Sequence, residues 1–309
     1  MGRKDLVCIF FIFVAVFCTY ILLRMPWRRE EGFQDTSAKP KGIILELIGG
    51  LGNQLYIYSA GKVMQQELGV PIYLKLQTSA ENKTVFAHTN TDYRPILFSD
   101  FQGVEDNDSK MANKVDARVE NKFWDPWNTD SIPTNSDKYV FIPDQWYQHF
   151  PSMRGVIPSV RKTTVDKLRE LYPDTRVEDG AAFIHVRRGD YTDSINNTYL
   201  LDMDYYNKAL AKIDTNTDVK RYYILSDDIR WCRQQQWNTT KQIIYVDEPN
   251  EMKALYMMSQ CKAGAIISNS TFSTWGAILG AYESGGTIVY PSKWLYGAST
   301  EFPADWIRI

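Results

Sequence analysis

The chain has 309 residues, 44% hydrophobic and 23% charged, enough to bury one large core or two medium ones. Its 35 basic and 37 acidic residues leave a formal net charge of -2, which excludes the strongly basic face of a nucleic-acid binder. A polyanionic ligand would have to be caught by a local cluster of arginines.

Leu6 to Leu23 is an 18-residue run without charge, at the short end of what crosses a hydrocarbon core. No small-x-small cleavage site follows it, since Arg24, Met25, Pro26 and Trp27 come next, so it reads as a retained signal anchor. Residues 1–5 are then a cytoplasmic tail and 24–40 a charged, Pro-flanked stem. Arg3 and Lys4 precede the run and Arg24, Arg28 and Arg29 follow it, so flanking charge does not set the orientation. Sequons at Asn82, Asn107, Asn196, Asn238 and Asn269 fit a lumenal body. Outside the apolar run only Cys232 and Cys261 remain, either as one disulfide or as two buried thiols.

The globular part opens with a buried strand over 42–47 and a loop at Gly49-Gly50-Leu51-Gly52-Asn53-Gln54. A helix then runs to Gly69 and a strand follows over 70–76, the unit of a parallel sheet. Residues 77–150 are rich in Asn, Asp, Pro and Trp and show no usable period. Trp124, Trp127 and Trp146 lie in this stretch; each has the surface of a sugar platform, although core packing is the favoured use. From about residue 160 strands over 181–186, 221–225, 242–246, 264–267 and 287–290 alternate with helices over 203–213, 229–237, 251–260 and 274–282. This rhythm predicts a doubly wound α/β domain, with ligands outside the carboxyl ends of its strands.

Three polar clusters fall at such ends. His185-Val186-Arg187-Arg188-Gly189-Asp190 offers two permanently charged planar forks to phosphate oxygens, or an ordinary surface ion pair with Asp190. Ser268 to Ser273 offers hydroxyls and free amides at a helix start, an anion site or a plain N-cap. Asp227 and Asp228 could accept bonds from a base or ribose, or cap the next helix. Together they describe a nucleotide-sugar site. Two Asp-x-Asp triplets, Asp106-Asn107-Asp108 and Asp202-Met203-Asp204, could suggest a divalent ion, but the arginine route to charge neutralisation is favoured and no metal is expected. The three histidines, His88, His149 and His185, are too widely spaced for a zinc motif.

GGLGNQL at 49–55, HVRRGDY at 185–191, SDDIRWCR at 226–233 and SNSTFSTWGA at 268–277 resemble, in order and spacing, the inverting α1,2-fucosyltransferases over roughly residues 42–295. The arginine motif and the Gly-Asn-Gln loop are shared more loosely with α1,6- and protein O-fucosyltransferases. The resemblance implies a GT-B-like architecture: two Rossmann-like domains facing a cleft, here 41–160 on the acceptor side and 161–309 on the donor side. It also implies a single-pass type II Golgi enzyme that takes GDP-β-L-fucose and a galactose-terminated glycan, inverts the anomeric centre and needs no metal. Carried over by residue, Arg187 would bind the β-phosphate, supported by Arg188 and His185. Gly50 and Gly52 would let the loop approach the donor, while Ser270, Thr271, Phe272 and Ser273 would touch phosphates and guanine. Asn53 would lie near the reacting centre, and Asp190 is the first choice of general base, with orientation of an arginine as its rival role. Several animal relatives have Asn-Gly where Asp227-Asp228 stands, which weakens the assignment of those acids to guanosine. A catalytically silent membrane lectin or nucleotide-sugar binder is the alternative from another class. A dinucleotide oxidoreductase is disfavoured because Gly50-Leu51-Gly52-Asn53-Gln54-Leu55 ends in Leu.

Overall fold

The computed structural model describes residues 39–78, 91–116, 132, 137–192, 199–294 and 301–309. The apolar run 6–23, the sequons Asn82 and Asn196, and Trp124 and Trp127 lie outside the described residues. Among the described residues no helix is long and apolar enough to cross a membrane.

Two parallel sheets organise the body. The first is built from β1 (Gly42–Leu47), β2 (Ile72–Leu76), β3 (Gln102–Val104), β4 (Lys114–Asp116) and β5 (Tyr139–Ile142), in the order β3-β2-β1-β5-β4. All six residues of β1 are buried, as expected of a central parallel strand covered on both faces. Helix α1 (Leu51–Leu68) returns the chain from β1 to β2. It ends at Gly69, whose φ of 64° and N–H bond to Gln65 O make a left-handed cap that a side chain would strain.

The second sheet contains β6 (Ala181–Val186), β7 (Arg221–Ser226), β8 (Gln242–Val246), β9 (Gly264–Ile266), β10 (Thr287–Tyr290) and β11 (Ile307–Arg308). Helices α2 (Ile157–Leu171), α3 (Met203–Ile213), α4 (Ile229–Gln234), α5 (Glu251–Gln260) and α6 (Thr271–Ala277) precede or connect these strands. The order β8-β7-β6-β9-β10-β11 is that of a dinucleotide-binding sheet, with its switch point between β6 and β9. In the first sheet the chain likewise turns back at β1, between β2 and β5.

The two sheets share one core. Alternation along β6 sends Ala181 and Phe183 into the apolar cluster that also holds Leu55, Tyr56 and Trp275, and sends Ala182, Ile184 and Val186 to the opposite face. Tyr56 and Trp275 meet edge to face at 5.4 Å, joining α1 to α6. Cys261 belongs to the shared core and Cys232 to the opposite cluster; both are free thiols, so the disulfide alternative falls away. Burial pushes the Cys232 thiol up to about 11.

Several boundaries differ from the sequence reading. Helix α1 starts at Leu51, so the loop after β1 is shorter than expected and Asn53 is helical. Helix α6 starts three residues earlier than predicted, because Ser270 O already accepts from Thr274 N at 3.0 Å. Helix α4 stops at Gln234, and Trp237 turns back to donate its indole N–H to Cys232 O at 3.0 Å. The acids of both Asp-x-Asp triplets work within the chain. Asp108 caps a helical turn, Asp106 pairs with Lys75 at 3.2 Å, Asp202 caps α3 and Asp204 pairs with Lys208 at 2.6 Å.

One buried ion pair bears on the first sheet. Lys75 of β2 sits beside Glu46 of β1 in register, with Nζ 3.5 Å from Oε1 and a side chain only 4% exposed. Burial raises the Glu46 pKa and Lys75 opposes the shift. Lys75→Met should cost about 3 kcal/mol, because it leaves a buried carboxylate without its cation. Adding Glu46→Gln should recover most of that loss in denaturant unfolding; additive losses would refute the coupling.

Candidate active site

The residues after β6 are fixed by carboxylates from two loops. Arg187 donates from one terminal nitrogen to Asp227 Oδ2 at 2.5 Å and from the other to Asp190 Oδ1 at 2.5 Å. The backbone N–H of Arg188 donates to the second Asp227 oxygen at 2.8 Å, and its Nε donates to Asp228 Oδ2 at 3.1 Å. Arg188 also lies 4.1 Å above the ring centre of Trp231, and Arg187 5.5 Å from that of Tyr191. A Cβ on Gly189 would meet Asp227 Oδ2 at 2.6 Å, so a side chain there would push this carboxylate aside. Asp227 therefore braces both arginines. Asp228 does cap α4, accepting from Trp231 N at 3.0 Å, and Asp190 orients Arg187.

His185, at the end of β6, is 6% exposed and shares a 2.9 Å hydrogen bond between Nδ1 and Ser268 Oγ. Burial, opposed by Asp227 and reinforced by Arg187, lowers its pKa to about 4, so it is neutral at physiological pH and works as a strut between β6 and the loop after β9. In that loop Ser268 N donates to Ser273 Oγ at 2.9 Å. Ser270 occupies the N-cap position of α6 yet makes no side-chain cap bond, so the plain N-cap reading does not describe it. The Phe272 ring lies 5.5 Å from His185. Asn269 is 1% exposed and donates Nδ2 to Tyr199 O at 2.8 Å, which removes its sequon from the accessible set; Asn107 and Asn238 are exposed.

The first sheet reaches this cluster through α1. Asn53 Oδ1 accepts from Thr271 Oγ1 at 2.8 Å and from Gln148 Nε2 at 3.1 Å. A Cβ on Gly52 would stand 2.3 Å from Phe272 N, so backbone touches backbone there, while Gly50 precedes the helix and accepts from Gln54 N at 3.1 Å. The residues foreseen in the arginine, serine and glycine motifs are thus linked across both sheets. Sequence reasoning missed Gln148, which sits in a stretch without period, and the ring partners Tyr191 and Trp231, which lay inside quoted motifs but carried no charge to mark them.

Charged forks, a helix start without a side-chain cap and a glycine-mediated contact at two switch points suit an anionic sugar donor. The family described as Glycosyl transferase family 11 matches residues 54–305. The chain is 27% identical to the O-antigen biosynthesis glycosyltransferase WbnK of Escherichia coli, over 81% of this chain and 94% of that protein. It is 22% identical to galactoside alpha-(1,2)-fucosyltransferase 2 of Sus scrofa, over 97% of this chain and 93% of the other. Among solved structures, NodZ alpha-1,6-fucosyltransferase co-crystallized with GDP matches 79% of this chain and 93% of its own, with a TM-score of 0.44 and 12% identity.

The contact at Gly52 gives a test. Gly52→Ala should force α1 and α6 apart, since the obstacle is backbone rather than a movable side chain. Activity should fall more than tenfold, on the scale set by small misplacements of catalytic groups, while the melting temperature drops by several degrees. Unchanged activity in that variant would show that the contact does not position the site.

Proposed function

The chain belongs to glycosyl transferase family 11, and we propose that it transfers L-fucose from GDP-β-L-fucose to the 2-hydroxyl of a terminal β-galactoside, with inversion. The observation that carries this reading is the fixed arginine pair at the carboxyl end of β6. Arg187 and Arg188 are held by Asp190, Asp227 and Asp228 beside the loop that leads into α6. The two curated relatives named above support the sugar transfer, and the porcine one supports the donor sugar and the linkage.

In the proposed reaction the acceptor oxygen attacks the anomeric carbon in line with the departing GDP. The C–O bond to the phosphate breaks, a new glycosidic bond forms, and the hydroxyl proton leaves to a base. Charge appears on the β-phosphate as the sugar departs. Arg187, assisted by Arg188, Ser270 and the first amides of α6, meets that charge with donors already in place, so little reorganisation is needed. Thr271 and Ser273 shape the loop, and Phe272 and His185 wall it. Asn53 reaches the site from the other sheet. The contact between Asp190 and Arg187 supports an orienting role for this carboxylate ahead of a role as the base.

The two Rossmann-type sheets support a GT-B-like division into an acceptor-side part over 41–160 and a donor-side part over 161–309. The apolar run 6–23 supports a single-pass type II anchor, and the exposed sequons at Asn107 and Asn238 support a lumenal body in the Golgi.

Arg187→Ala should retain the fold and lose roughly 10²–10³-fold in turnover; near wild-type transfer of radiolabelled fucose to lactose would refute its role. In a separate assay, EDTA should leave transfer intact. Loss on chelation with recovery on adding Mn²⁺ would replace the arginine mechanism by a metal-assisted one.

A further inference from the structure

We propose that Trp146 is the platform on which the apolar face of the acceptor's terminal β-galactose rests. The proposal builds on the reading of the chain as a galactoside fucosyltransferase and gives that reading its acceptor subsite.

The favoured use of a tryptophan is core packing, and Trp146 departs from it. Its residue is 48% exposed, although Tyr147 beside it is 2% exposed and buried in the shared core. Its position follows from topology. The loop after β5 lies next to the loop after β1, and these two strands flank the switch point of the first sheet, where an open α/β sheet receives its ligand. The donor machinery occupies the corresponding place on the second sheet.

The indole and the proposed reacting-centre asparagine converge on one glycine. Gly49 has a φ of 69°, and a Cβ there would lie 2.8 Å from Trp146 Cζ3 and 2.3 Å from Asn53 Nδ2. The ring edge and the amide thus share the space that the missing methyl leaves. Asn53 turns its oxygen to Thr271 on the donor side, so the aromatic surface stands beside a residue that touches both halves of the cleft.

The loop that presents Trp146 is held on both sides. Gln148 donates to Asn53 Oδ1 at 3.1 Å, and Asp144 N donates to Glu46 Oε2 at 3.4 Å. Asp144 and Tyr147 have φ values of 53° and 50°, the only positive ones outside glycine among the described residues. A ring carried on a loop fixed in advance needs less ordering when a sugar settles on it.

The chemistry of the ligand fits. In β-galactose the axial 4-hydroxyl leaves the hydrogens on C3, C4 and C5 as one continuous apolar face, which suits the negative face of an indole. The 2-hydroxyl is equatorial, at the ring edge, free to point toward Asn53 and the donor.

The test uses the full chain in detergent with methyl β-D-galactopyranoside as acceptor. Trp146→Ala should raise the acceptor KM about tenfold while leaving the donor KM and acceptor-free hydrolysis of GDP-fucose within twofold. Trp146→Phe should recover part of the loss, since a smaller ring still offers a face. An acceptor KM unchanged in Trp146→Ala, or a donor KM that rises in step with it, would overturn the proposal. Saturation-transfer NMR with the same galactoside separates this from the reading beneath it. If the wild type transfers no fucose but binds the galactoside, and Trp146→Ala does not, the activity reading fails and the platform stands. If the wild type binds no galactoside, the platform fails as well.

Discussion

A single carboxylate, that of Asp227, bonds to both residues of the arginine pair. One oxygen takes a terminal nitrogen of Arg187 and the other takes the backbone N–H of Arg188. A flexible arginine must surrender up to about 2 kcal/mol of rotamer freedom to hold a phosphate in one geometry. Here that ordering is done within the protein, by charge-assisted bonds that are shorter and stronger than neutral ones. The glycine at 189 leaves room for it, because a Cβ there would lie 2.6 Å from the Asp227 oxygen and push it aside.

The same logic operates between the two sheets. Gly52 lets the backbone of α1 lie against that of α6, and Tyr56 and Trp275 extend the contact into the core. Asn53 adds a polar link to Thr271 at the surface of that joint. A site assembled from two sheets inherits the rigidity of the packing beneath it, because well-packed interiors transmit strain rather than absorb it. This explains why short polar motifs far apart in sequence act as one cluster.

Much of this was legible in the sequence, and the reasons are specific. Strands such as β1 and β6 are fully buried, mostly apolar runs bounded by glycine or charge, and their limits matched the reading. Helices α3 and α5 begin at Met203 and Glu251, as read, and the side chains of Asp202 and Asn250 cap them by accepting from Tyr205 N and Lys253 N. The stretch 77–150 resisted because β3 and β4 are three residues each, too short for any period to register. The start of α6 was misplaced because Ser and Thr serve caps and first turns equally well. The pairing of an arginine with Asp190 was legible because both lie in one motif, whereas the bonds to Asp227 and Asp228 were not, since those acids follow β7, some 40 residues on.

The charge balance of the site constrains how it can recognise a donor. Arg187 and Arg188 face Asp190, Asp227 and Asp228, two cations against three carboxylates, so the cluster is no general trap for anions. Net charge sets long-range attraction, whereas directed N–H groups set affinity at contact. Recognition must then rest on geometry. On the proposed reading the donors are the fork edges that the carboxylates leave open and the first amides of α6, whose N-cap side chain makes no bond to them. Such a site favours a ligand whose oxygens are spaced to meet both groups at once, as those of a diphosphate are, over a single small anion. The proposed role also ties the site to the packing of the two sheets, because one of those donor groups sits on the helix that Gly52 allows against α1.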